Sequence, residues 1–126
     1  MTEKQNKSIE LMKDYVNILI SLSAEINLLN MIMTNTNDEY KIKLSRSTVN
    51  HKLDILNKFM DSDEYAEYIN YVTRSYILSK IDIVRYEITR KNINVSLCEN
   101  IITAMSMLLI ADIDCVKNGY MKMSLK

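Results

Sequence analysis

Apolar residues recur along most of this chain with the spacing of amphipathic helices. The clearest stretch is 8–33, where apolar side chains return every seven positions and again three positions after each of these: Met12, Tyr15, Leu19, Leu22, Ile26, Leu29 and Met33. Seven residues make two helical turns, so these side chains share one face. The pattern predicts one long first helix that packs against neighbouring helices.

Two further helices are predicted in the middle of the chain. Apolar positions favour a second helix over 38–60, although the low helix propensity of 45–48 would allow a break there. The run Asp61-Ser62-Asp63-Glu64 is typical of a capping box at a helix N-terminus. It predicts a third helix, the longest of all, which reaches to about Lys91.

The last helix completes the expected architecture. A second capping box at 96–99 predicts a helix over 97–117, closed by the only glycine, Gly119. Four helices with short connections favour antiparallel neighbours, so the predicted fold is all-α, an antiparallel up-down-up-down four-helix bundle. One domain is expected over 1–126, with frayed tails at 1–7 and 119–126.

Composition and charge exclude several classes of protein. The chain has no proline and one glycine, which argues against sheets and phosphate-binding loops. Sixteen basic residues balance sixteen acidic ones, so no net charge favours nucleic acid or an anionic membrane. The longest apolar run, Ile101–Ala111, is about half of a membrane span. Without a signal peptide pattern at the N-terminus, a cytoplasmic protein is expected.

Residues that could support catalysis are few. The single histidine, His51, lies off the apolar line of its helix, which predicts a surface position and leaves no metal or cofactor site. Cys98 and Cys115 are expected to be buried free thiols. An enzymatic alternative is a magnesium-dependent, all-helical nucleotide pyrophosphatase. Four carboxylates on the predicted third helix suggest it: Glu64, Glu67, Asp82 and Glu87.

A second alternative is nucleic-acid binding by the predicted second helix. Its outer face carries basic residues together with an asparagine able to contact base edges: Lys41, Lys43, Arg46, Asn50, Lys52 and Lys58. Acidic residues such as Asp54 dilute this face, and the helices are too long for a helix-turn-helix fold. Nucleic acid is therefore an unfavoured partner.

Asp112 is the most unusual position in the sequence. It lies on the apolar side of the last predicted helix, where an unpaired charge would be costly. Arg74 and Arg85 on the third helix are the expected partners. Such a buried polar group would be either a structural ion pair or a specificity device at an interface.

The tyrosines of the third helix lead to the functional hypothesis. Tyr65, Tyr68, Tyr71 and Tyr76 crowd one stretch of it and cannot all face one core. Tyrosine is enriched in binding surfaces, although tyrosines also form the rim of a core. The sequence favours a non-enzymatic protein-interaction module of the inhibitor, immunity or regulatory-subunit type, which binds another protein or itself, a homodimer being favoured, through helices three and four.

Overall fold

A computed structural model of the chain describes residues 3–62 and 68–117, and these are all-helical, with no strand among them. The four helices are α1 (Glu3–Asn35), α2 (Glu39–Asp61), α3 (Tyr71–Glu87) and α4 (Val95–Lys117). The predicted all-α class and the number of helices are confirmed.

The first two helices agree closely with the sequence pattern. α1 begins at Glu3, earlier than the predicted start at residue 8 and within the stretch expected to fray. α2 continues unbroken through 45–48, because Ser45 is buried in the apolar face that runs across these residues. Asp38 is its N-cap, with a side chain that accepts hydrogen bonds from the amides of Tyr40 and Lys41.

The predicted third helix is wrong in its length and its start. Asp61 is the last residue of α2 and Ser62 is its C-cap, so Asp61 does not cap a following helix. α3 begins at Tyr71, because the Asn70 side chain accepts a 2.8 Å hydrogen bond from the amide of Val72 and so acts as the N-cap. With 17 residues α3 is the shortest of the four helices.

α4 also begins elsewhere than its predicted capping box. The Asn94 side chain accepts a 3.0 Å hydrogen bond from the amide of Leu97, and the helix starts at Val95. Ser96 therefore lies inside α4 and is not its cap. Gly119, the predicted end, lies outside the described residues.

The helices surround one apolar core. α1 packs most extensively against α4 and α2, and α3 lies against α2 and α4. Each helix buries one side, and Tyr68 and Ile69 before α3 add to the same core. The largest fully buried side chains include Tyr15, Leu22, Ile26, Leu53, Leu56, Met60, Ile77 and Ile81.

Candidate functional site

The tyrosines predicted to bind a partner do not form one exposed patch. Tyr68 is only 7% exposed and belongs to the core. Tyr71 is exposed at the first turn of α3, whereas Tyr76 is half-buried with the ammonium of Lys80 5.1 Å from its ring centre. Tyr65 lies outside the described residues. Because α3 begins only after Asn70, Tyr68 lies outside the helix that carries Tyr71 and Tyr76, and these three side chains do not share the single helical face that the sequence pattern assumed.

Asp112 has a different partner from the one predicted. Its carboxylate is half-buried and accepts a 2.9 Å hydrogen bond from the backbone amide of Asn70. Among the described residues no ion pair joins it to Arg74 or Arg85. Asp112 therefore fixes the turn that leads into α3, and backbone N–H groups at a helix start are natural partners for a carboxylate.

Of the two arginines, Arg85 bonds to other side chains, and Arg74 has a side-chain nitrogen that is unpaired among the described residues. Arg85 forms an ion pair with Asp54 and donates a 3.0 Å hydrogen bond to the Asn50 side chain, which ties α3 to α2. Arg74 is half-buried, and its Nε has no hydrogen-bond partner within the described part of the chain. These contacts assign Arg85 a structural position and leave the interface role of the three residues as a prediction.

The carboxylates of the enzymatic alternative do not gather in the described residues. Asp82 is exposed, and Glu87 is 2% exposed with both carboxylate oxygens 3.0 Å from Nη1 of Arg90. Glu64 and Glu67 lie outside the described residues. Within 3–62 and 68–117 no cluster of three or more histidine, cysteine or acidic side chains could hold a metal ion.

The basic face of α2 is partly used for internal contacts. Arg46 donates through Nε to the carbonyl of Ile88 at 2.7 Å, and its Nη2 lies 3.4 Å from the carbonyl of Arg90. Asn50, the predicted reader of base edges, accepts from Arg85. His51 is exposed, as predicted. Beside Arg46 an open crevice of about 960 Å³ lies between the α1–α2 connection and the α3–α4 connection.

An uncharged groove lies where α1 and α4 meet. We define the seam face as the residues that border this groove: Val16, Ile20, Ser23, Thr103, Ser106 and Met107. Ile20 is 63% and Met107 67% exposed, while Leu19 and Ile102 form the buried floor of a cavity of about 230 Å³. No charged residue occurs between Asp14 and Glu25 of α1 or between Glu99 and Asp112 of α4.

This surface was not predicted from the sequence, although the two stretches that form it are visible there. The two uncharged stretches, 15–24 and 100–111, can be read from the sequence alone. Their adjacency depends on the packing of the first helix against the last, which no local pattern encodes. Contiguous apolar surface of this kind marks interaction sites more often than isolated exposed side chains do.

A polar contact marks one end of the seam face. The Asn27 side-chain amide donates a 2.8 Å hydrogen bond to Oε1 of Glu99, although the two residues are 72 positions apart. Both side chains are exposed. The contact holds the Glu99 carboxylate over the groove between α1 and α4 and gives this end of the seam face a fixed negative charge.

The two cysteines differ in their surroundings, which corrects one expectation. Cys98 is buried, but Cys115 is exposed. Burial, together with the negative charges of Glu87 and Glu99, raises the pKa of the Cys98 thiol to about 11. The thiolate is the reactive form, so Cys98 is an unreactive core residue.

This difference predicts the reactivity of the thiols. At pH 8 a thiol reagent should label Cys115 rapidly and Cys98 only after unfolding in denaturant. Because the folded pKa of Cys98 lies above the ordinary thiol value of 9.0, the stability that it contributes is complete below pH 9 and is lost as the pH rises through about 11. Absorbance of the released label, compared between the parent protein and Cys115→Ser, measures the labelling, and urea denaturation of Cys115→Ser as a function of pH measures the loss of stability. Rapid labelling of that variant at pH 8 would show that Cys98 is accessible.

Two described segments are long and apolar enough to cross a membrane by length and composition only: Gln5–Asn35 and Val95–Cys115. They belong to α1 and α4, and core helices of soluble proteins meet the same criterion. Only 22% and 33% of their most apolar windows are buried, which agrees with the uncharged surface that they share.

Comparisons of the chain with protein-family models, with characterised proteins and with solved structures find no match. The seam face is thus the best-supported candidate site on the geometry alone.

Proposed function

We propose that this protein is a non-enzymatic protein-interaction module, of the inhibitor, immunity or regulatory-subunit type, which docks its partner on the seam face. The observation that carries this proposal is the exposure of Ile20 and Met107 at the centre of an uncharged groove between two helices. Burying such side chains contributes about 25 cal/mol for each Å² of apolar surface removed from water. A partner that covers the groove gains this free energy.

The proposal moves the docking surface from helices three and four to α1 and α4. Tyr68 supports the core and Tyr76 packs on it, whereas Ile20 and Met107 are free to contact a partner. Serine and threonine hydroxyls at the groove edge can bond to a partner's backbone without introducing a buried charge. The surface therefore combines an apolar centre with small polar groups, as protein interfaces do.

We also infer that the helices form the up-down-up-down bundle expected from the sequence. Support comes from contacts between opposite ends of successive helices: the rings of Tyr15 and Phe59 lie 5.0 Å apart, and Arg46 of α2 contacts the end of α3. The hydrogen bond from Asn27 to Glu99 joins the end of α1 to the start of α4. Antiparallel neighbours bring such residues together.

A cytoplasmic location is part of the proposal. α1 and α4 supply most of the core, and a bundle with two core helices of this length requires them to be strongly apolar whether or not a membrane is present. Glu25, Asn27 and Asn30 interrupt the second half of α1. These polar groups favour an aqueous setting over a lipid one.

The test compares two large, similarly exposed side chains on different faces. Ile20→Glu introduces a charge at the centre of the seam face, and Tyr86→Glu introduces one at a 70% exposed side chain of α3. We expect Ile20→Glu to weaken assembly by about 100-fold, because a buried unpaired charge costs several kcal/mol. Tyr86→Glu should leave assembly unchanged.

Assembly is measured as the mass of the tagged protein, purified and in extracts of its source cells, by size-exclusion chromatography with light scattering. Circular dichroism controls for folding of both variants. A complex that survives Ile20→Glu but not Tyr86→Glu would place the docking surface on α3. Absence of any complex in either setting would overturn the interaction function itself.

A further inference from the structure

The exposed line of α1 has a nearly symmetric pattern around Ile20. Positions seven residues away on either side are polar, Lys13 and Asn27, and positions eleven away are apolar, Ile9 and Met31. Spacings of seven and eleven return to almost the same side of a helix. Lys13, Asn27 and Met31 are exposed, and Asn27 shows that this line runs beside α4.

A surface with this pattern suits a second copy of itself. In an isologous dimer each residue meets the symmetry-related position, so opposite ends of the face must be complementary. We propose that the seam face is an isologous homodimer interface whose twofold axis runs across α1 at Ile20, in the plane of the interface. The two α1 helices then lie antiparallel, with Ile9 of each copy against Met31 of the other. This inference rests on the docking role proposed for the seam face.

Charges at the ends of the face support this register. The axis brings Lys13 of each copy to Asn27 and Glu99 of the other, so each dimer gains two equivalent ion pairs. A carboxylate accepts several hydrogen bonds, which lets Glu99 hold Asn27 and receive the lysine together. On α4, the positions seven before and seven after Met107 are Asn100 and Asp114. The axis therefore brings the Asp114 carboxylate of each copy to the uncharged side-chain amide of Asn100 in the other copy, which is a hydrogen-bond donor.

The size of the face is adequate for a dimer. From Ile9 to Met31 the line is about 33 Å long, and two helices side by side are about 20 Å wide. The product, on the order of 660 Å² for each copy, lies within the roughly 600–1,000 Å² per partner of specific complexes. The uncharged stretches 15–24 and 100–111 occupy the middle of this area, and the charged residues of the face lie at its rim.

The test uses charge reversal and rescue in the purified full chain. Sedimentation equilibrium between about 1 and 200 µM should show a monomer–dimer equilibrium. Lys13→Glu and Glu99→Lys should each weaken it by about 10-fold or more, because both symmetric pairs become repulsive. The double variant should recover to within about 3-fold of the parent protein. Lys41→Glu, an exposed lysine on α2, is the matched control and should have no effect.

Salt provides a second readout that a folding defect would not mimic. At about 1 M salt the Debye length falls to about 3 Å, so the effects of Lys13→Glu and Glu99→Lys should shrink while the effect of Ile20→Glu persists. Thermal unfolding of each variant accompanies the measurement. Equal loss at low and high salt would contradict the ion pairs.

The remaining outcomes separate this inference from the function on which it rests. Rescue of Lys13→Glu by Asp114→Lys in place of Glu99→Lys would overturn the register, because the proposed axis brings Lys13 to the end of the other copy that carries Glu99 and not to the end that carries Asp114. A monomer at 200 µM that joins a larger complex in cell extracts through Ile20 would overturn the homodimer and leave the docking surface. Binding of the monomer to phosphatidylcholine vesicles, abolished by Ile20→Glu, would overturn both in favour of a lipid surface.

Discussion

Arg90→Met should lower the free energy of unfolding by roughly 3 kcal/mol, because it leaves the buried Glu87 carboxylate without its cation. Glu87 is 2% exposed, whereas the Arg90 side chain is 53% exposed, so the arginine reaches in from the surface to both carboxylate oxygens. Methionine keeps the aliphatic bulk of the arginine stem and removes only the charge and its hydrogen bonds. Urea denaturation at pH 7 measures the loss.

The matched control removes a nearby arginine, which lies within α3. Arg85→Met breaks an ion pair with Asp54, whose side chain is 60% exposed, and should cost less than about 1 kcal/mol because solvent screens the charge that remains. Adding Glu87→Gln to Arg90→Met should recover most of the lost stability, since a neutral amide needs no counter-ion. Equal losses for Arg90→Met and Arg85→Met would show that Glu87 is satisfied without Arg90.

Arg46→Leu is expected to lower the free energy of unfolding by about 2 kcal/mol. The last carbonyls of a helix have no partner inside it, and Arg46 reaches from α2 to the carbonyl of Ile88, the C-cap of α3, with a weaker contact to Arg90. Leucine fills the space but leaves these carbonyls without a donor. The guanidinium also lies 3.9 Å from the sulfur of Met33, so one side chain joins three helices.

Two comparisons isolate the geometry of the guanidinium from its charge. Arg46→Lys keeps the charge but lacks the planar set of donors, so it should show an intermediate loss of about 1 kcal/mol. Lys43→Leu removes an exposed cation one turn earlier on α2 and should change stability by less than about 0.5 kcal/mol. The midpoint of thermal unfolding orders the three variants. Equal midpoints of thermal unfolding for Arg46→Leu and Lys43→Leu would show that the two hydrogen bonds contribute no net stability.

The sequence predicted those parts of the fold that depend on local periodicity. The heptad spacing from Met12 to Met33 identified α1, and the unbroken apolar face of α2 overrode the poor helix propensity around Ser45. The third helix was overextended because Tyr65, Ile69, Val72 and Tyr76 also fit a helical line. The structure differs because the Asn70 side chain competes for the backbone amides and starts the helix at Tyr71.

Contacts between distant segments were harder to predict from the sequence. Asp112 was expected to pair with an arginine, but its partner is a backbone amide, which no residue type reveals. Glu87 was considered as a metal ligand, whereas it pairs with Arg90, three residues further along the chain. The pair matters for stability because Glu87 is buried, which the sequence does not show. The seam face required knowledge that two uncharged stretches, far apart in the chain, lie side by side.

The preference of the first helix for the last has a consequence for how the protein is made. α1 packs most extensively against α4, and the bond from Asn27 to Glu99 closes 72 residues of chain. During synthesis the apolar side of α1 therefore stays partly uncovered until α4 has left the ribosome, because α2 and α3 cover only part of it. Until then the nascent chain exposes apolar surface to chaperones and proteases, and a deletion within α4 should lower solubility more than an equal deletion within α3.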